Sequence, residues 1–187
     1  MTKENERSAY IGWTDSPLSV KGKRDIKRLK PLIDDVDIVF SSPLRRCVQT
    51  AALLFPEHEM IKVHSFKEIH FGAFEGKTYE QLKEDSNYQR WMAQPFTVRP
   101  PKGETFVEFS NRIQKGWQFV RQKMITLQLT SIAIVTHGGV IRYLLSLFAS
   151  NRQSFFTWSI PFAGGYRLIW TRGQFLQHKQ AESVKSI

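Results

Sequence analysis

The sequence predicts an α/β fold with a mostly parallel sheet, on three observations. Asp37-Ile-Val-Phe40 and Ser131-Ile-Ala-Ile-Val-Thr136 are short apolar runs without polar alternation, the habit of strands buried on both faces. Each runs straight into turn residues and a helix start, Ser41-Ser42-Pro43 in one case and His137-Gly138-Gly139 in the other. Between them Phe106, Phe109, Ile113, Trp117, Val120 and Met124 recur at helical spacing. They predict an amphipathic helix of about five turns, begun near Gly103-Glu104-Thr105.

The remaining elements follow in chain order. Leu18 to Leu29 carries a weaker helical pattern. Ser42 as N-cap and Pro43 as first helical residue predict a helix from Pro43 to about Phe55, stopped by Pro56. Met60-Ile-Lys-Val63 and Tyr166-Arg-Leu-Ile-Trp170 read as strands, and the helix opened by Gly138 and Gly139 continues to Ala149. From about Lys179 the chain reads as a frayed tail, so one domain is expected over residues 1–178 and a flexible tail over 179–187. A length of 187 residues suits a single domain, and 41% apolar with 24% charged residues is an ordinary globular composition.

Charge and cysteine content narrow the function. Lysine and arginine total 27 against 17 acids, a net +10 that favours nucleic acid, an acidic membrane surface or a phosphorylated metabolite. The cations are scattered as on solvated helix faces, and no aromatic-basic motif supports nucleic acid. No apolar run approaches the roughly 18 residues of a membrane span, and residues 1–7 are too polar and acidic for a leader peptide. With Cys47 as the one cysteine, a disulfide framework is excluded and a reducing cytoplasmic setting is expected.

In open α/β sheets ligands bind beyond the carboxyl ends of the strands, where helix N-termini point. The two strand-turn-helix junctions, Phe40 to Arg46 and Val135 to Gly139, each offer backbone N–H groups to an anion. One adds the Arg46 guanidinium, whose planar fork matches phosphate oxygens, and the other adds the His137 imidazole beside Gly138. Together they predict a phosphate pocket, with Arg45 directed elsewhere on its helix. Cys47 lacks the arginine six residues on that a cysteine phosphatase needs, since Leu53 stands there, and reads as packing. His58, His64, His70 and His178 have no metal-ligand spacing; no metal and no cofactor are expected, and His70 borders the pocket.

Five ordered blocks resemble the histidine phosphatase superfamily, the phosphoglycerate-mutase-like fold, over about residues 1–148. They are Gly12-Trp-Thr-Asp-Ser-Pro-Leu-Ser-Val-Lys-Gly22, Ser42-Pro-Leu-Arg-Arg-Cys-Val-Gln-Thr-Ala51, Glu68-Ile-His-Phe-Gly-Ala-Phe-Glu-Gly76, Pro101-Lys-Gly-Glu-Thr105 and Val135-Thr-His-Gly-Gly139. The short phosphatases, such as α-ribazole-phosphatase-like enzymes, are the most similar type. The resemblance implies a three-layer, doubly wound sheet and a phosphomonoester hydrolase acting through a phosphohistidine on a small phosphorylated metabolite. It assigns Glu68 as general acid, His137 as transition-state stabiliser, Arg46, Asn5, Thr2 and Gly138 as phosphate-binding, and Gly12 with Trp13 as the substrate mouth. Phe66, Ile69 and Phe71 would raise the Glu68 pKa by desolvation, while Glu75 reads as structural beside Gly76. Phosphoglycerate mutase activity is the nearer alternative, against which the stretch from Gly76 to Gly103 is short. A catalytically inactive phosphate-ligand or partner-binding domain is the other.

One departure stands out. The family signature is an apolar strand ending Arg-His-Gly, whose histidine is the nucleophile; here Met1-Thr2-Lys3-Glu4-Asn5 fits only the part after that glycine. The expectation is a chain lacking its first central strand, through a start placed downstream or through true loss. It would be inactive or badly impaired, and either poorly stable or with the slot filled by a rearranged segment.

Overall fold

The computed structural model describes residues 1–151 and 153–187. In chain order the elements are α1 (Lys3–Glu6), α2 (Val20–Leu29), β1 (Ile38–Ser41), α3 (Arg45–Leu54), β2 (Met60–Lys62), α4 (Tyr79–Leu82), α5 (Ser86–Ala93), α6 (Phe106–Thr126), β3 (Ile132–Val135), α7 (Gly138–Phe148), β4 (Tyr166–Ile169), α8 (Arg172–Leu176) and β5 (Ser183–Ser186). The expected α/β class holds: β2, β1 and β3 form a parallel sheet in that order, with Ile38 opposite Ile132 and Ser41 opposite both Lys62 and Val135.

Strand pleating distributes the core between two helical layers, because successive side chains leave a strand on opposite faces. Ile38, Phe40, Ile132 and Ile134 pack with Phe109, Ile113 and Val120 of α6 and Val140 and Tyr143 of α7. Val39, Ala133 and Val135 point the other way, onto Ala51 and Leu54 of α3 and Phe55 just beyond it. The long helix starts where its pattern predicts, with Thr105 as N-cap in a reciprocal capping box with Glu108.

Three expectations need correction. Ser42 does not cap α3, which begins at Arg45 after Leu44, because its hydroxyl is engaged with His137 and the Leu44 N–H. Residues 183–186, read as part of a flexible tail, form β5, antiparallel to β4 with Leu168 opposite Val184. β3 is not buried on both faces as its apolar run suggested; all four residues are half-buried, whereas all four of β1 are buried. The reason is pairing: β1 has a partner on each side, and β3 has β1 on one side and a cleft on the other. Of the two outcomes expected for the missing strand, the filled slot is not the one seen: among the described residues β3 pairs with β1 alone, and a cleft lies along its other edge. Of about 1250 Å³, it runs between β3 and β4 and reaches Arg46, Glu68 and His137 at the carboxyl end of β3.

Candidate active site

Arg46 is the most heavily engaged side chain at that end. It sits in the first turn of α3, buried, and its guanidinium donates from Nε to His137 Nδ1 (3.2 Å), from Nη1 to the Thr14 carbonyl (2.8 Å) and from Nη2 to the Gly12 carbonyl (2.6 Å). Three of its five N–H groups are thereby fixed, and two are left to bind an anion. Burial lowers its pKa, but an arginine stays charged across the biological range. Arg45 is exposed, as expected from its place on the helix, and its backbone N–H is held by Asp15 (2.6 Å).

His137 is buried at the N-cap of α7. Nδ1 accepts from Arg46, so the ring proton sits on Nε2 and is donated to Ser42 Oγ at 2.7 Å. Burial foremost, then the charges of Arg46 and Arg112, holds its pKa well below the ordinary value, which keeps the imidazole neutral. The Cys47 thiol lies 3.5–3.6 Å from the same ring, and burial pushes its pKa up to about 12. It is an uncharged packing group, not a thiolate.

Glu68 comes from the loop after β2 and faces the N-terminus of α7. One carboxyl oxygen accepts from the Gly139 N–H (3.0 Å) and the other from its neighbour's, Ile69 (2.9 Å). Gly139 permits that approach, since a Cβ there would lie 2.3 Å from the carboxyl oxygen. Burial raises the Glu68 pKa, opposed by these two N–H groups and then by the charges of Arg46 and Arg112. A carboxyl so placed can carry a proton at higher pH than an exposed glutamate.

Sequence reasoning missed what holds Glu68 in place. Arg112 of α6 donates to the Ser65, Lys67 and Glu68 carbonyls (2.8, 2.6 and 2.7 Å) and pairs with Glu104, which also accepts from the His70 N–H (2.8 Å). One signal was present. Arg112 stands between Phe109 and Ile113 on the apolar stripe of α6, a position where a solvated charge has no place.

The remaining predicted residues divide. Gly12 and Trp13 reach the site: the Gly12 carbonyl holds Arg46, and half-exposed Trp13 donates from Nε1 to the Glu68 carbonyl (2.9 Å) beneath the Lys67 ammonium. Gly138 and Asn5 line the cleft. Thr2 is fully buried and serves as N-cap of α1, with Asn5 as its capping-box partner. A hydroxyl spent on a cap is not offered to a phosphate, so Thr2 does not join the site. His70 lies at the rim, its ring 4.8 Å from that of Trp13 and Nε2 3.8 Å from Glu75. Among the described residues no group of three His, Cys, Asp or Glu could hold a metal ion.

The model of the histidine phosphatase superfamily (branch 1) matches residues 1–182, beyond the stretch of about 1–148 over which the sequence blocks carry the resemblance. Among curated relatives, an adenosylcobalamin/alpha-ribazole phosphatase of Escherichia coli is 26% identical over 78% of this chain and 73% of its own length. A 2,3-bisphosphoglycerate-dependent phosphoglycerate mutase of Tropheryma whipplei is 24% identical over 75% and 76%. Among solved structures, the alpha-ribazole phosphatase of Shigella flexneri superposes with a TM-score of 0.76 at 27% identity, covering 87% of this chain and 83% of its own.

Proposed function

The chain belongs to the histidine phosphatase superfamily, branch 1, and from that membership we propose that its cleft binds the phosphoryl group of a small phosphomonoester for hydrolysis. One observation carries the reading. A charged guanidinium and a neutral imidazole touch at 3.2 Å, and a buried carboxyl whose pKa is raised by desolvation lies at the N-terminus of α7.

The roles follow from the chemistry of each group. The two free N–H groups of Arg46 bind phosphoryl oxygens and, with the α7 N-terminus, stabilise charge that grows in the transition state. Rotation of His137 Nε2 away from Ser42 frees one further donor. When a nucleophile attacks phosphorus and the ester P–O bond breaks, Glu68 gives its proton to the departing oxygen. As carboxylate, it then takes one from the water that releases phosphate. Apart from the nucleophilic attack itself, these steps call on Arg46, Glu68 and water, which supports a metal-independent reaction. The attacking histidine of the family signature is not among these residues, because the sequence contains no Arg-His-Gly. Both His137 nitrogens are already engaged. Residues 1–187 therefore bind the ester and turn it over poorly.

Phosphatase chemistry is preferred to mutase chemistry because the segment from Gly76 to Gly103 is short and packs through Leu82, Tyr88 and Trp91 against Tyr10, Phe71 and Phe74 rather than lining the cleft. The half-exposed Trp13 wall suits an ester whose leaving group carries an aromatic ring, as α-ribazole phosphate does. The test is turnover of a chromogenic phosphomonoester with and without added imidazole, which supplies a nucleophilic nitrogen. Background turnover alone, then an imidazole-dependent rate that is lost in Glu68→Gln and Arg46→Ala, is expected. Full turnover without imidazole, or an imidazole rate that both variants retain, contradicts the reading.

A further inference from the structure

We propose that Glu75 is the positioning residue for Arg46, acting through the single peptide unit that joins Gly12 to Trp13; this rests on reading Arg46 as the phosphoryl-binding group. Glu75 has a largely buried side chain. Its Oε1 accepts from the Trp13 N–H (2.9 Å) and the Phe71 N–H (3.3 Å); Oε2 accepts from the Thr14 N–H (2.7 Å) and from the Thr14 hydroxyl. Four donors on one carboxylate is far more than a surface acid collects, and more than a residue that merely flanks Gly76 requires.

The direction of these bonds matters. The Trp13 N–H and the Gly12 C=O belong to the same planar trans peptide and point opposite ways. Glu75 holds the N–H end, and Arg46 Nη2 donates to the C=O end at 2.6 Å. A carboxylate on the donor side polarises the amide and strengthens its carbonyl as an acceptor. The second guanidinium contact, Nη1 to the Thr14 carbonyl, lies two residues on, in the segment whose Thr14 N–H the same carboxylate holds. Gly12 is what lets the layers approach: a Cβ there would meet the Ile69 carbonyl at 2.1 Å and the Glu75 carboxylate at 2.7 Å. Glu75 thus sets the plane of the peptide, the peptide sets the rotation of the guanidinium, and the rotation aims the two free N–H groups.

The test compares Glu75→Gln with the intact chain by two readouts. One is the NMR signal of the Arg46 Nε–H, identified by its loss in Arg46→Lys, and the other is the dissociation constant for orthophosphate. Glu75→Gln is expected to shift or broaden that signal and to weaken orthophosphate by about tenfold, the worth of one charge-assisted hydrogen bond. Glu75→Asp keeps the charge on a shorter side chain and should recover most of the affinity while still shifting the Arg46 signal, and that shift is the readout should the glutamine variant fail to fold. Glu104→Gln loosens the opposite wall and should lower stability without moving the Arg46 signal. An Arg46 signal unmoved by either Glu75 variant overturns the proposal. If the intact chain binds no orthophosphate, the functional reading fails, and the signal alone still decides the role of Glu75.

Discussion

β1 and β3 are neighbours of nearly equal composition, Ile-Val-Phe-Ser and Ile-Ala-Ile-Val, yet they live in different surroundings. β1 is paired on both sides and wholly buried; β3 is paired on one side and half-buried, with the cleft along its other edge. The same division runs through the site at their carboxyl ends. The β1 side delivers Arg46, fixed by three hydrogen bonds, while the β3 side delivers His137 and the Gly139 N–H to the cleft. An apolar run therefore specifies a strand, and the number of partners that strand has decides how much it contributes to stability.

Four expectations break or sharpen this contrast. Phe40→Ala, in the closed strand, should cost about 3–5 kcal/mol of unfolding free energy in urea, whereas Ile134→Ala in the open strand should cost about half as much. Equal losses would erase the distinction. The second concerns pH. His137 has a folded pKa below its unfolded one, so its contribution to stability is complete above the unfolded value near pH 6.5 and is lost as pH falls through the folded value. Stability should drop by up to about 1.4 kcal/mol per pH unit below pH 6.5, and His137→Gln should remove that slope. Glu68 works in the opposite sense: its raised folded pKa makes the fold less stable as pH climbs from the unfolded value to the folded one. Glu68→Gln should flatten that limb in a series of pH-dependent melts. Third, Thr105→Ala removes the cap of α6, which packs against both strands, and should cost about 1 kcal/mol. Smallest is Arg45→Ala, on an exposed side chain, which should change stability by no more than about 0.5 kcal/mol and leave phosphate binding untouched.

Much of this arrangement is legible in the chain, and the parts that are not share a cause. Strand and helix periodicities predicted β1, α6, β3 and α7 to within a residue or two, because those patterns report burial along one element. The junction residues Arg46 and His137 were legible because strand ends and helix starts are local signals. What stayed hidden is what depends on a distant partner. Ser42 looks like a cap until His137, far along the chain, claims its hydroxyl. Glu75 looks structural until residues 12–14 fold onto it, and Arg112 looks like a helix charge until the 65–68 carbonyls close around it. Thr2 shows the reverse: a position assigned by family spacing is taken up by a local cap with Asn5. β5 escaped because Ser-Val-Lys-Ser carries little apolar signal and gains its order by pairing with β4.

The most direct test of the phosphate site is a titration of orthophosphate into the intact chain and into Arg46→Ala, followed by calorimetry with circular dichroism as the check on folding. Saturable binding to the intact chain, weakened about a hundredfold or more in a folded Arg46→Ala, is the predicted result, since two charge-assisted hydrogen bonds are removed. Binding of equal strength to both, or no binding to the intact chain, would contradict the claim that Arg46 and His137 form a phosphoryl pocket.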